Sequence, residues 1–246
     1  MKKTVTIAIV LSSIISFAQD DLAVMDDDPH YVKPETLIDP VYGITVYERL
    51  NSHLGGDSTR HCEGYACVGW VEDAYENGQV MHKGYYTDGQ LIMYKNYYPD
   101  GKLEREFKVV DNLKCQTRSY FPNGEVKSFV KYHRGDPFIW QDYYENGQLQ
   151  YDEELNKQTG VYIKSNTYAA NGTPISTLEL ENKKRMEFEH QEFHVNGQVK
   201  LAGTTRYIAA IMDHRRVGIW KHYDLDGNLV QEDTYVDGKI HKEKKL

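Results

Sequence analysis

Three stretches of this chain carry residue types that could do chemistry. In Gly55-Gly56-Asp57-Ser58-Thr59-Arg60 a serine sits in a glycine-rich run beside an aspartate. Acyl transfer would need that serine on a strand-to-helix turn of an α/β fold, with a His and an Asp brought to it. In His190-Gln191-Glu192-Phe193-His194 two imidazoles stand four positions apart. On a helix they would form a metal-binding pair, whereas on a strand they lie ~13 Å apart, too far for one ion. The zinc-protease motif also needs Glu directly after the first His, and Gln191 occupies that place. In the third stretch Cys62 and Cys67 flank four residues, with His61 adjacent. They could close a small disulfide loop or join His61 in a metal site; no second close ligand pair follows, so the disulfide is expected and no metal. Cys115 is left over as a buried strand residue or a competing disulfide partner.

What these groups can do depends on the elements that carry them. Asn-Gly or Asp-Gly recurs along the chain, with glycines at Gly78, Gly101, Gly124, Gly147, Gly172, Gly197 and Gly227. The first three steps are 23 residues and the later ones 25, 25 and 30. Y-E-N-G-Q, starting at Tyr75, returns at Tyr144 because the two copies are three 23-residue steps apart. A second series falls between the first: Gly89, Asn112, Gly135, Gly160 and Gly238. A half-period of ~11 residues with a turn at each end is the pattern of consecutive β-hairpins. Asn-Gly and Asp-Gly suit a two-residue type I′ turn, in which both central residues have positive φ.

That turn sets an expected register. Around Asn146-Gly147 it places Glu145 opposite Gln148, Tyr144 opposite Leu149 and Tyr143 opposite Gln150. Alternation then puts Trp140, Tyr144, Leu149 and Tyr151 on one face. Equivalent pairs are Tyr75 with Val80, Tyr86 with Leu91, Tyr98 with Leu103 and Phe121 with Val126. One residue earlier, pointing to the opposite face, stand Tyr85, Tyr97, Tyr120, Tyr143, Tyr168, Phe193 and Tyr223. These seven are either cross-strand packing, their hydroxyls reaching water, or the lining of a binding groove.

No α/β alternation follows Ser58, so the Gly-Asp-Ser run reads as a turn and the carboxylates as strand-edge charges. The chain is expected to have no catalytic residues and no cofactor.

Met1-Lys2-Lys3, the apolar run to Phe17 and the small residues Ser16 and Ala18 predict a secretory signal peptide over 1–18. The apolar run is shorter than the ~20 residues of a membrane span, and no later stretch reaches that length. The mature chain is expected to be exported, periplasmic or secreted. Loss of Lys2 and Lys3 takes the formal charge from −8 to −10, which argues against nucleic acid as a partner. Residues 19–68 form an acidic linker and capping segment, disordered over 19–30, with I-T-V-Y-E-R-L a first strand or short helix. Residues 69–240 form the repeat domain and 241–246 a basic tail. Basic clusters such as Lys183-Lys184-Arg185 and His214-Arg215-Arg216 read as solvated strand ends.

The stretch from Gly218 to Ile240, G-I-W-K-H-Y-D-L-D-G-N-L-V-Q-E-D-T-Y-V-D-G-K-I, resembles the MORN-repeat variant family, whose unit runs roughly G-x-W-x-x-Y-x-x-x-G-x-L and then E-x-x-Y-x-x-G. Gly69-Trp70 and Trp140 echo parts of it, and the resemblance covers about 69–240. It implies an all-β fold: one elongated, twisted, single antiparallel sheet of consecutive hairpins. It also implies a repeat scaffold that contacts a protein or cell-envelope partner, or, as some members do, an antitoxin-like protein that neutralises one cognate partner. Departures are expected to be irregular: Asn112 in place of a turn glycine, Pro174 at an apolar position, and the insertion over 204–217, whose 205–212 segment is a longer hairpin or a short helix.

Overall fold

The computed structural model describes residues 60–75, 77–111 and 113–246. The expected signal peptide, most of the linker, Ser58 and Asn112 lie outside the described residues. Every regular element among them is a strand: β1 (His61–Cys62), β2 (Tyr65–Ala66), β3 (Gly69–Ala74), β4 (Val80–Thr87), β5 (Gln90–Tyr97), β6 (Leu103–Asp111), β7 (Lys114–Tyr120), β8 (Val126–His133) and β9 (Asp136–Tyr143). The chain continues through β10 (Leu149–Leu155), β11 (Tyr162–Tyr168), β12 (Pro174–Asn182), β13 (Glu187–Phe193), β14 (Val199–Ile208), β15 (Asp213–Tyr223), β16 (Leu229–Val236) and β17 (Lys239–Lys245). Strands β3 to β17 form one 15-stranded antiparallel sheet in strict sequence order, as expected from the glycine spacing. At ~4.8 Å per strand such a ribbon is on the order of 70 Å long. The basic end of the chain continues β17 as far as Lys245.

The two glycine series are two kinds of turn, one at each long edge. Asp88-Gly89, Arg134-Gly135 and Asp237-Gly238 have positive φ at both residues, the two-residue type I′ turn. The main series departs from expectation: only its glycines have positive φ. At Asn146-Gly147 the Gly147 N–H donates to the Tyr144 carbonyl and the Tyr144 N–H to the Gln148 carbonyl, both at 2.8 Å. This is a three-residue loop, a type I turn closed by a left-handed glycine that forms a bulge. The asparagine is there for its side chain: Asn146 Oδ1 accepts from the Gln148 N–H at 3.0 Å. Asn77, Asp100, Asn123, Asn171 and Asn196 accept in the same way.

The extra residue shifts the register by one. Leu149 pairs with Tyr143, not Tyr144, and the shift recurs at Tyr97 with Leu103 and at Tyr120 with Val126. The expected pair Tyr86 with Leu91 stands, beside a type I′ turn. Over 205–212 the hairpin alternative is the one observed, with β14 and β15 joined through 209–212.

One face, termed inner, holds the core. Its central row runs through Gly84, Tyr94, Phe107, Thr117, Val130 and Trp140 by direct cross-strand pairing. Tyr94 and Phe107 stack with centroids 5.4 Å apart, both 2% exposed. The β1–β2 hairpin, closed by the Cys62–Cys67 disulfide, packs Cys67 against Tyr86, Leu91 and Cys115 in this core. Farther along, Trp220 is fully buried against Gly203, where an added Cβ would come within 2.3 Å of the indole. The rings of Tyr162 on β11 and His214 on β15 lie 6.4 Å apart, although a flat sheet would hold those strands ~19 Å apart. The sheet therefore curls toward its inner face there.

Candidate binding face

Six of the seven aromatics expected on one face form a row. Asn96, Ser119, Asp142, Thr167, Glu192 and His222 belong to one cross-strand row on the inner face, linked through Arg105, Ser128, Tyr151, Ser176 and Leu201. Tyr97, Tyr120, Tyr143, Tyr168, Phe193 and Tyr223 each follow one of those residues, so alternation places all six on the outer face beside the main-series turns. They sit on alternate strands, ~10 Å apart, and each pairs with an apolar or proline residue of its return strand, Leu103 to Leu229. All six are half-buried. Tyr85 shares the outer face but not the row. It pairs with Trp70 and Met93, four residue positions along the strand from the level of Tyr97.

Side chains tie most of these turns to the next. Tyr75 donates through its hydroxyl to the Tyr97 carbonyl at 2.6 Å, Tyr98 to the Tyr120 carbonyl at 2.8 Å and Tyr144 to the Tyr168 carbonyl at 2.9 Å. His194 Nε2 replaces the hydroxyl later, 2.9 Å from the Tyr223 carbonyl. The turn asparagines add a second strap: Asn123 Nδ2 donates to the Glu145 carbonyl, Asn146 to Ala170 and Asn196 to Leu225. The repeated Tyr-x-Asn-Gly therefore holds successive repeats together and sets the level of the row.

Next to the row the outer face is cationic over β5 to β8. Lys95, Glu106, Arg118 and Phe129 share one cross-strand row, and Met93, Lys108, Gln116 and Lys131 share the next row on the same face. Between them runs a groove of about 170 Å³ whose walls include Trp70, Met93, Lys95, Lys108 and Arg118. Glu106 stands 3.6 Å from Arg118 and accepts from the Tyr120 hydroxyl at 2.8 Å. Burial and that bond raise the Tyr120 phenol above its usual range, so the ring stays neutral and donating.

The chemical candidates resolve differently. His190 faces inward, with its ring edge-on to Trp220 at 5.4 Å, and burial lowers its pKa. His194 is spent on the inter-repeat strap, so the two imidazoles do not converge. Among the described residues no three His, Cys, Asp or Glu side chains are grouped to hold a metal. No helix among them is long and apolar enough to cross a membrane. Sequence reasoning missed the cation rows: each contributes one residue per strand, invisible in a linear scan for basic clusters.

A search of curated proteins finds no match. Among solved structures, a mutant of S. aureus TarM in complex with Fondaparinux, alpha-GlcNAc-glycerol and UDP is matched at 10% identity over 60% of this chain, with a TM-score of 0.23. The chain spans 21% of that protein's length, and the likeness at this score carries no argument. The family model of the MORN repeat variant matches residues 90–110, 139–157 and 216–237. Each matched segment brackets one three-residue turn of the main series, at Gly101, Gly147 and Gly227. In these three units the hairpin array carries the MORN repeat variant, as the resemblance of Gly218 to Ile240 implied.

Proposed function

We propose that this protein is a non-catalytic, exported repeat scaffold that binds a protein or cell-envelope partner through the outer face of its sheet. The observation that carries this reading is the aromatic row: six rings held at one level of one face, half-buried, with the inner face already used for the core. A quasi-one-dimensional array offers an extended surface rather than a closed pocket. Export is supported by the Met1–Ala18 pattern and by the Cys62–Cys67 disulfide, which suits an oxidising compartment.

Photo-crosslinking tests the face. A benzophenone side chain placed at Tyr120 or Tyr143 should trap the partner in cells, while the same group at Ser128, on the inner face, should not. Crosslinks from Ser128 alone would move the site to the other face. A single stoichiometric protein recovered from the outer-face positions would favour an antitoxin-like role with one cognate partner over a general envelope scaffold.

A further inference from the structure

We propose that the outer face over β5 to β8 binds an acidic, extended polypeptide segment of the partner; this rests on the outer face being the docking face. Lys95, Lys108, Arg118 and Lys131 supply one cation from each of four consecutive strands, alternating between the two outer-face rows. Neighbouring strands lie ~4.8 Å apart and the rows about two residues apart, so successive cations are spaced ~8 Å along a zigzag. Same-side carboxylates of an extended peptide recur every ~6.6 Å, within reach of flexible lysine and arginine side chains. Across these rows the four cations face one carboxylate, Glu106, on a chain of formal charge −8. Among the described residues no carboxylate lies within ion-pair distance of Lys95, Lys108 or Lys131, although Lys83 on β4 is paired with Glu72 at 2.6 Å. These three ammonium groups are therefore unneutralised and clustered on neighbouring strands of one face.

The aromatic rings beside the cations decide between peptide and sugar. Lys83 Nζ stands 5.5 Å from the Trp70 ring centre, and Arg118 and Lys131 stand over Phe129 at 4.9 and 5.4 Å. Glycan recognition by stacking uses bare ring faces, whereas the Trp70 and Phe129 rings of this patch each have a cation beside them. What remains is apolar ring edge and the Met93 side chain between charges, a match for a segment that mixes carboxylates with aliphatic side chains.

The test is fluorescence anisotropy with the mature full chain and a short fluorescein-labelled peptide of alternating Glu and Val. Binding should weaken as salt is added, because the contacts are exposed ion pairs. Lys108→Glu with Lys131→Glu should weaken it by about tenfold, while Lys221→Glu, on the same face at the far end of the sheet, should leave it unchanged. Unchanged thermal melts would show that the variants fold, and neutral Lys95→Gln should give a smaller loss in the same direction. Equal affinity in the double reversal, no binding at all, or displacement of the peptide by polygalacturonate at lower concentration would each overturn the proposal. These results are separable from the face assignment, since crosslinking from Tyr120 and Tyr143 does not depend on the lysines.

Discussion

The hydroxyl of Tyr144 donates to the carbonyl oxygen of Tyr168, 24 residues later, at 2.9 Å. It joins two repeats that the backbone ladders and the Asn146–Ala170 strap also couple. In a repeat array, stability is a sum of intrinsic and nearest-neighbour contributions, so a strap of this kind acts on the neighbour contribution. Tyr144→Phe keeps the ring and leaves the Tyr168 carbonyl without this donor; a loss of about 1 kcal/mol is expected in urea unfolding. Combining it with Tyr98→Phe, whose strap lies two repeats away, should be additive within a few tenths of a kcal/mol. A loss indistinguishable from zero in both variants would mean the hydroxyls exchange freely with water.

Gly203 faces Trp220 so closely that a Cβ would meet the indole at 2.3 Å. The indole is fully buried and donates through Nε1 to the Thr204 carbonyl at 3.1 Å, so it has little freedom to retreat. Gly203→Ala should destabilise by about 1–3 kcal/mol through overpacking, read as a lower urea midpoint at unchanged slope. Gly172→Ala, at a turn with φ +82, should also destabilise, but through backbone strain. Near-ultraviolet circular dichroism separates the two, because only Gly203→Ala should alter the tryptophan signal.

The strand order was legible because glycine is the favoured residue where a turn needs positive φ, and its spacing measures the hairpins directly. The turn type was not legible, since Asn-Gly suits both a two-residue type I′ turn and a three-residue loop closed by a bulge. What separates them is whether the Asn146 side chain accepts from the Gln148 N–H, a contact no dipeptide announces. The face of Tyr97 and its equivalents survived that error because alternation with Asn96 and its equivalents does not depend on the turn. The Gly203–Trp220 contact was hidden for another reason: the β14–β15 register shifts between Ala202 and Thr204, inside the region where the repeat spacing breaks down.

His82 is an acid-sensitive point in the core. It is fully buried, its Nδ1 lies 2.7 Å from Asn96 Oδ1, and its Nε2 lies 3.4 Å from the Tyr86 hydroxyl. Both contacts suit a neutral ring that donates from Nδ1, and burial pushes the pKa down to about 4. An unfolded histidine, near 6.5, binds more protons in between, so stability is full above about pH 6.5 and falls as pH drops toward 4. The loss from this one residue is on the order of 3 kcal/mol. His82→Gln should be less stable at neutral pH but show a shallower acid limb in urea midpoints against pH. An unchanged limb would assign the acid sensitivity elsewhere.

The three cysteines should be distinguishable by reactivity. Cys62 and Cys67 are bonded, and Cys115 is 2% exposed in the same core. The native mature chain should react slowly with a thiol reagent, and the unfolded, unreduced chain should yield a single thiol that peptide mapping assigns to Cys115. Reduction of the short loop should lower stability by about 2 kcal/mol and release the β1–β2 hairpin. Mapping a bond between Cys115 and either other cysteine would contradict this pairing.

Arg134 sits at φ +55 as the first residue of a type I′ turn, the position held by Asp88 and Asp237 in the equivalent turns. A left-handed backbone crowds the Cβ of an ordinary L-residue by about 1–2 kcal/mol, and asparagine or aspartate tolerates it better. The Arg134 side chain is exposed and makes no ion pair among the described residues. Arg134→Asn should therefore stabilise the protein by about 0.5–1 kcal/mol, most of it recovered strain. Arg134→Asn is also predicted to leave partner capture unchanged, because the residue lies at the type I′ edge, away from the Tyr97-to-Tyr223 row. Urea midpoints and thermal melts on the two proteins measure the first effect, and crosslinking from Tyr120 measures the second. A destabilised Arg134→Asn would mean that the arginine side chain makes a stabilising contact strong enough to outweigh the strain of its backbone.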